Sequence, residues 1–474
     1  MPSKDTFYLI ASSEIGEEAL KTPEFGKVRA VLNRWLDKQL AEGQKGDNVL
    51  QINAAKAAVD ALAARLEVER QQVEVARRQV ALEQTNIDNA VIRAPFDRVV
   101  VVDGGPGTGK SVVGLHRAAW LAFNHESLRR DGVLVVAPST AFLTYVSGVL
   151  PSLDVTDVDQ VELQRLYAGE ADIRGTDDPE TTRVKGSPVM AEILQVALAQ
   201  RIGWGVDDLV LGLGADRVRL PASMVEAVIE EARGRDLSYL DGRDLLRSLL
   251  ARRAAEVHRA DQEEAGRPAR ANEATIRRLS AFANAIDRMW PSFTPEEFLR
   301  SFFGTQAWLV AAAEGLMSPV DRARLFRPSA PSIGEEPWTE ADLFCLDEVA
   351  HMLTRDVVAY GHLVVDEAQD LSPMQARALR RRCPSGSLTI LGDLAQATGV
   401  WLREDWQELT EHLSDAQSVV QSLSIGYRVP APVLELAAAQ LSLAGGRLQA
   451  PNSIRERSEE RRVGKECRSR WSPY

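Results

Sequence analysis

The stretch VVVVDGGPGTGKSVVGLHRAAW, residues 99–120, decides the fold of this chain. Its four consecutive valines predict a short strand that is covered on both faces, as in a parallel sheet. Residues 104–111 fit the pattern GxxxxGK[ST], and the residues that follow predict a helix from Ser111 to Asn124. A strand, a glycine-rich turn and a helix in this order favour an α/β fold built on a parallel sheet.

The glycines of this turn indicate a loop that binds an anion. Glycine lets the backbone curl so that several N–H groups point inward at a helix N-terminus, where phosphate is favoured. Lys110 is expected to reach the β and γ phosphates of a nucleotide, and Ser111 is expected to bind Mg²⁺. The remaining predicted phosphate-binding positions are Gly104, Gly105, Gly107, Thr108 and Gly109.

A second apolar strand ends in two adjacent carboxylates, in HLVVDEAQD (362–370). We expect Asp366 to hold Mg²⁺ through its hydration shell and Glu367 to polarise an attacking water as the general base. The alternative for such a pair at a strand end is the capping of a helix. The phosphate-binding turn earlier in the chain favours the metal and catalytic roles.

Two further apolar runs predict strands, at GVLVVAPST (132–140) and SLTILGD (387–393). After the latter, in GDLAQA, Gln396 lies where it could sense the γ-phosphate. Arg428, in GYRVP, is a candidate arginine finger that would stabilise transition-state charge. Gln396 or Arg428 alone is weak evidence for a nucleotide site. The order and spacing of the glycine-rich turn, the carboxylate pair, GDLAQA and GYRVP support such a site when they are taken together.

The motifs GGPGTGKS, VVDEAQD, GDLAQAT and GYRVP resemble motifs I to IV of superfamily 1 helicases of the UvrD/Rep type. The amino-acid sequence around these motifs is similar to that of HelD-type helicase-like ATPases, which bind bacterial RNA polymerase. This likeness spans about residues 90–455 and implies a RecA-like P-loop NTPase that uses ATP and Mg²⁺. It also implies that Gln396 couples hydrolysis to motion, that Tyr427 stacks on adenine and that Arg428 touches the γ-phosphate.

The resemblance implies an ATP-dependent DNA helicase or related motor, whose partners are single-stranded or duplex DNA and RNA polymerase. The oligomeric state is left open. We expect a helical, coiled-coil-like region at 1–89 and a first RecA-like lobe in two parts, 90–150 and 341–415, around a helical insertion at 151–340. We expect a truncated second lobe at 416–457 and a disordered or vector-derived tail at 458–474.

Composition narrows the class of protein. A chain of 474 residues is too long for one hydrophobic core, and 45% apolar with 26% charged residues is typical of soluble domains. The net charge of −12 argues against a general basic coat, so a nucleic-acid site would be a local groove. No apolar window approaches a membrane span, and the three cysteines form no CxxC pair. We therefore expect a cytoplasmic protein without membrane partners, disulfides or zinc.

Three departures from the family pattern keep other interpretations open. Family members carry a glutamine before the turn that recognises adenine, but this chain has Asp88 at that position and its Gln84 lies one helical turn too early. Residues 81–100 are also similar to membrane-fusion adaptors of efflux pumps, so a chimeric N-terminus is an alternative. Motifs beyond 455, including an arginine-bearing motif VI, are missing. The alternative functions are a non-catalytic nucleotide-binding fragment that engages a partner and an adaptor-like scaffold.

Overall fold

The computed structural model describes residues 85–149, 158–214, 216–269, 271–426 and 452–453, with isolated positions between 57 and 75. The chain divides into two compact units, 1–86 and 87–474, and the architecture below is that of the second unit. The isolated positions of the first unit are helical and exposed. The coiled-coil arrangement predicted for 1–89 and the tail predicted for 458–474 lie essentially outside the described residues.

The fold is α/β and is centred on a six-stranded parallel sheet. Because every pairing is parallel, the carboxyl ends of all six strands meet at one edge, where α/β proteins place their ligands. In chain order the strands are β1 (Val99–Gly104), β2 (Val133–Ala137), β3 (Val158–Glu162), β6 (His362–Val365), β7 (Leu388–Gly392) and β8 (Ser418–Leu423). Across the sheet they lie in the order β3-β2-β6-β7-β1-β8.

Both faces of the sheet are covered, as the valine run predicts. Val99 and Val101 face one side and belong to a core shared with the helical region, while Val100 and Val102 face helix α1 (Lys110–Asn124). All four valines are 0% exposed. The predicted strand at 99–102 and its coverage on both faces are therefore confirmed.

Between β2 and β6 the chain is mainly helical, with one antiparallel hairpin of β4 (Leu209–Leu213) and β5 (Asp216–Leu220). Two short strands, β9 (Ile425–Gly426) and β10 (Asn452–Ser453), pair in parallel apart from the main sheet. The helices after α1 are α2 (Glu126–Asp131), α3 (Thr140–Val149), α4 (Pro179–Gly186), α5 (Pro188–Ala199), α6 (Ala222–Arg233), α7 (Tyr239–Glu264), α8 (Glu273–Arg277), α9 (Ser280–Met289), α10 (Pro295–Phe303), α11 (Gln306–Ala312), α12 (Pro319–Leu325), α13 (Glu340–Thr354), α14 (Pro373–Arg382) and α15 (Gln407–Leu413).

Two strands lie where the sequence did not predict them. β3 falls inside the range predicted to be a helical insertion, yet it pairs with β2 at one edge of the sheet. β8 falls after the predicted lobe boundary at 416, yet it pairs with β1 along its whole length. Residues 418–423 thus form an edge strand of the main sheet, beside β1.

The helical region and the sheet share one hydrophobic core. Phe298 and Phe302 of α10 and Trp338 belong to the same buried cluster as Val101 and Ile390 of the sheet. The predicted insertion is therefore packed onto the sheet as part of one core. Among the described residues, no helix has the length and apolar character needed to cross a bilayer.

Arg117 of α1 holds the segment that leads into β1. Its guanidinium is fully buried and donates to the carbonyl oxygens of Val91 (3.0 Å), Ala94 (2.6 Å) and Pro95 (2.9 Å), and to the hydroxyl of Thr389 (3.0 Å). Burial lowers the pKa of Arg117 to about 10. The cation is stabilised by carbonyl dipoles, including the last carbonyls of the helical residues 87–92.

Candidate nucleotide-binding site

The glycine-rich turn joins β1 to α1 at the carboxyl edge of the sheet. Gly107 and Gly109 adopt positive φ values of 75° and 91°, which favour glycine. Gly104 is required for a different reason, because a Cβ there would lie 2.7 Å from the hydroxyl oxygen of Thr108. Thr108 is buried and donates from its hydroxyl to the Gly105 carbonyl at 2.9 Å. These contacts fix the curl of the loop from within.

The loop leaves a row of backbone donors free. Among the described residues, none accepts a hydrogen bond from the amide N–H groups of Gly107, Gly109, Lys110 or Ser111. The last two belong to the first turn of α1, where N–H groups have no partner within the helix. Together with the partial positive charge of the helix N-terminus, these donors can hold an anion such as a phosphate group.

The lysine of the turn lies within the loop. The Nζ atom of Lys110 donates to the carbonyl oxygens of Gly104 and Gly105, the latter at 3.3 Å. Burial raises the pKa of Asp366 and of Asp103, and the positive charge of Lys110 offsets a part of that rise in both carboxyl groups. Lys110 is therefore close to carboxylates at the ends of two different strands, β1 and β6.

Ser111 and Asp366 are 255 positions apart in the chain and meet at the site. The Ser111 hydroxyl donates to Oδ2 of Asp366 at 3.2 Å, while Oδ1 of Asp366 accepts from the Glu367 amide at 3.0 Å. Burial, followed by the charge of Glu367, raises the pKa of Asp366 to about 6. A hydroxyl and a carboxylate side by side are hard oxygen ligands of the kind that Mg²⁺ takes.

The Glu367 side chain is exposed, and its backbone is in the left-handed region with φ 52° and ψ 41°. A residue other than glycine adopts this conformation at an energetic cost, and such strain is concentrated at functional sites. Oε2 of Glu367 accepts a hydrogen bond from Nε2 of Gln369 at 2.7 Å. The carboxylate that the sequence predicts as general base is thus accessible and anchored at one oxygen.

Gln396 lies on the neighbouring loop, after β7. Its side chain is exposed, and Nε2 donates to Oδ2 of Asp393 at 2.6 Å. The strand β7 lies between β1 and β6, so the loop of Gln396 follows the strand between the phosphate-loop strand and the carboxylate strand. The other two predicted site residues, Tyr427 and Arg428, lie outside the described residues.

Sequence reasoning missed Asp103, a carboxylate close to Lys110. Oδ1 of Asp103 accepts from the indole N–H of Trp406 at 3.0 Å. Burial, assisted by the charge of Asp393, raises the pKa of Asp103. The position of Asp103, one residue before the glycine pattern, was visible in the sequence. Its neighbours, Asp393 directly after β7 and Trp406 directly before α15, could be identified only from the fold.

The site brings together Gly104–Ser111, Asp366 and Glu367, with Gln396 on the adjacent loop. Its free N–H donors and the Ser111–Asp366 pair fit the phosphates and the metal of a magnesium nucleotide. In the described ranges no three His, Cys, Asp or Glu side chains gather as a metal-binding group, so water and phosphate oxygens would supply the other ligands. The sequence matches no protein-family model and no curated protein significantly.

Proposed function

We propose that this chain binds ATP with Mg²⁺ and hydrolyses it as a helicase-like motor of superfamily 1, in the HelD branch. The single observation that carries the proposal is the 3.2 Å hydrogen bond from Ser111 to Asp366. It joins the end of the glycine-rich turn to the acidic end of another strand. A purely structural turn would have no need of that pair, whereas a metal bound to a nucleotide requires it.

Each residue then has a chemical task. The free amides of the turn bind phosphate oxygens, and Lys110 turns from its own loop carbonyls to the β and γ phosphates. Ser111 and Asp366 hold the metal, which neutralises the charge of the phosphates when it is bound. Glu367 accepts the proton of the attacking water, and Gln396 responds to the γ-phosphate. Tyr427 and Arg428 complete the proposal as the adenine-stacking residue and the arginine finger.

The partners follow from the resemblance of the motifs. We infer that the parallel sheet is a RecA-like lobe and that ATP turnover acts on single-stranded or duplex DNA, or on RNA polymerase complexes, in the cytoplasm. The α/β sheet with its turn between β1 and α1 is compatible with this class. Substrate and partner choice depend on surfaces beyond the nucleotide site.

Nucleotide binding and hydrolysis are tested on the same protein. The affinity for a fluorescent ATP analogue and the steady-state ATPase rate are measured with and without single-stranded DNA and core RNA polymerase. We expect Lys110→Ala to weaken binding. We expect Glu367→Gln to preserve binding and to lower kcat on the order of 10²-fold or more, because it removes the general base.

The matched control is Glu314→Gln, which changes an exposed carboxylate in a turn of the helical region. Its kcat should equal that of the parent protein. Hydrolysis that is indifferent to Glu367→Gln would refute the proposed chemistry. Binding without any turnover, with or without DNA or polymerase, would instead favour the alternative of a non-catalytic nucleotide-binding protein.

A further inference from the structure

Gln369 is a buried side chain that the predicted chemistry does not use. It lies in the 3-10 turn Ala368–Asp370 directly after the acidic end of β6, and only 2% of its surface is exposed. Its amide oxygen approaches the backbone of β7 so closely that a Cβ on Gly392 would lie 2.7 Å from it. The side chain is therefore fitted between the loop after β6 and the loop after β7.

Both ends of the Gln369 amide are engaged. Nε2 donates to Oε2 of Glu367 at 2.7 Å, and Oε1 accepts from the backbone N–H of Asp393 at 3.2 Å. These two partners determine the orientation of the amide, since a carboxylate needs a donor and an N–H needs an acceptor. No other uncharged side chain of this length offers both groups.

We propose that Gln369 is a positioning residue, which orients the carboxylate of Glu367 for catalysis and ties it to the loop that carries Gln396. This inference rests on the proposed ATPase function. Glu367 is exposed and has three rotatable side-chain bonds, so an anchor at Oε2 holds the carboxylate with Oε1 available to accept a proton from water. Orientation of this kind contributes to the rate without contributing to nucleotide affinity.

The connection continues beyond Gln369. Asp393, whose N–H binds Gln369, accepts from Nε2 of Gln396 at 2.6 Å. The next residue of the turn, Asp370, accepts from the amides of Thr398 and Gly399 at 2.9 and 2.8 Å. Two adjacent residues thus hold the loops after β6 and β7 together. A displacement of Gln396 by a γ-phosphate would be transmitted to Glu367 through three hydrogen bonds, by way of Asp393 and Gln369.

Two substitutions separate the two halves of this role. Gln369→Glu keeps an acceptor for the Asp393 amide but replaces the donor to Glu367 by a repelling carboxylate. Gln369→Met removes both groups at nearly constant volume. Gln306→Met, an exposed glutamine at the start of α11, is the matched control. Three quantities are measured: kcat, the Kd of a non-hydrolysable ATP analogue, and hydrogen exchange of the Asp393 amide in the nucleotide-free protein.

We expect both Gln369 variants to lower kcat by roughly tenfold or more with Kd changed less than about twofold, because the base is misaligned while the phosphate loop is intact. Exchange at the Asp393 amide should accelerate in Gln369→Met and stay slow in Gln369→Glu. The exchange pattern in the latter also shows that the variant is folded. Gln306→Met should match the parent protein in all three quantities.

Failure of this inference and failure of the proposed function give different results. A kcat that is unchanged in both Gln369 variants, in a protein whose turnover Glu367→Gln abolishes, would overturn the positioning role and leave the ATPase intact. A parallel loss of Kd and kcat would also overturn it, since Gln369 would then support the whole site. No turnover in the parent protein would refute the proposed function and this inference together.

Discussion

Gly109 has a backbone conformation that side chains rarely adopt, at φ 91°, yet a Cβ built there meets no atom within 4 Å. Substitution at this position therefore tests backbone strain without a steric clash. The residue precedes Lys110 and Ser111, and its own N–H is one of the free donors of the turn. The conformation that glycine permits here is the one that makes the following two amides available.

We expect Gly109→Ala to reduce the free energy of unfolding by about 1–2 kcal/mol, the cost of a left-handed conformation for alanine. It should also weaken nucleotide binding, because relief of the strain turns the donors away. Urea denaturation and titration with a fluorescent ATP analogue measure the two effects. Gly148→Ala, in helix α3 with an unhindered Cβ, is the control and should be neutral or stabilising by up to about 1 kcal/mol. Equal effects of the two substitutions would contradict the argument.

Asp366 gives a prediction about pH. Its pKa is raised from 3.8 to about 6 by burial and by Glu367, so the charged carboxylate destabilises the metal-free protein. The penalty is absent below the unfolded-state pKa and is complete once the pH exceeds 6. In EDTA, Asp366→Asn should therefore raise stability at pH 7.5, by up to about 3 kcal/mol, and the gain should shrink as the pH falls towards 4.

Thermal melts of the metal-free protein across this pH range provide the measurement, with the exposed Asp207→Asn as control. A stabilisation that is independent of pH would show that charge is not the cause. With Mg²⁺ and nucleotide present the order should reverse, because the parent protein then gains a ligand that the amide binds poorly.

The principal candidate residues could be predicted from the sequence because their spacing is local. Lys110 and Ser111 follow the glycines directly, and Asp366 and Glu367 end an apolar run. Gln369 and Asp103 could not be predicted as functional residues. Their importance depends on partners 24 and 303 positions away in the chain, at Asp393 and Trp406, and no local pattern indicates such contacts.

At the scale of elements, helix α1 carries two different kinds of contact. Its N-terminus forms the end of the phosphate loop, and two turns later Arg117 binds four backbone carbonyl oxygens, those of Val91, Ile92, Ala94 and Pro95. Burial, followed by the charge of the same cation, lowers the pKa of His362 to about 3, so that this imidazole of β6 stays neutral. The hydrogen bonds of Arg117 to these carbonyls and to the Thr389 hydroxyl of β7 fix helix α1 to both the preceding segment and the sheet.

Arg117→Met should lower the free energy of unfolding by about 3 kcal/mol or more, because buried carbonyl oxygens lose their donors. Chemical denaturation measures this effect, and amide hydrogen exchange should increase first at residues 91–94. Arg130→Met, at a position whose side chain is 81% exposed, should change stability by less than about 0.5 kcal/mol. A similar small change at Arg117 would mean that water replaces the guanidinium without cost.

The strands that the sequence predicted, β1, β2, β6 and β7, are the central ones. Buried on both faces, they consist mainly of apolar residues. β3 and β8 are edge strands, with the mixed sequences VDQVE and SVVQSL. Because an edge strand faces solvent along one side, its sequence resembles that of a loop or a different element. Strand position in the sheet therefore explains which elements could be predicted.

For the whole molecule, the shared core predicts a single unfolding transition for residues 87–426. Phe302 of α10 is 0% exposed and contacts Phe298 and Trp308 in the core that extends to β1 and β7. Phe302→Ala should cost about 3–5 kcal/mol and should destabilise the helical region and the sheet together. Near-ultraviolet circular dichroism and exchange of the β1 amides measure the two parts. Two separate transitions would show that the insertion folds independently.

The order of strands in the sheet also has a consequence for synthesis on the ribosome. Val99 of β1 pairs with Leu388 on one side and Ser418 on the other, so both partners of the phosphate-loop strand are translated long after it. At typical elongation rates β1 waits roughly 15–60 s for its neighbours. During that interval four consecutive valines have no partner strand on the nascent chain. Chaperones that bind extended apolar segments are expected to associate with this stretch until residue 423 has emerged.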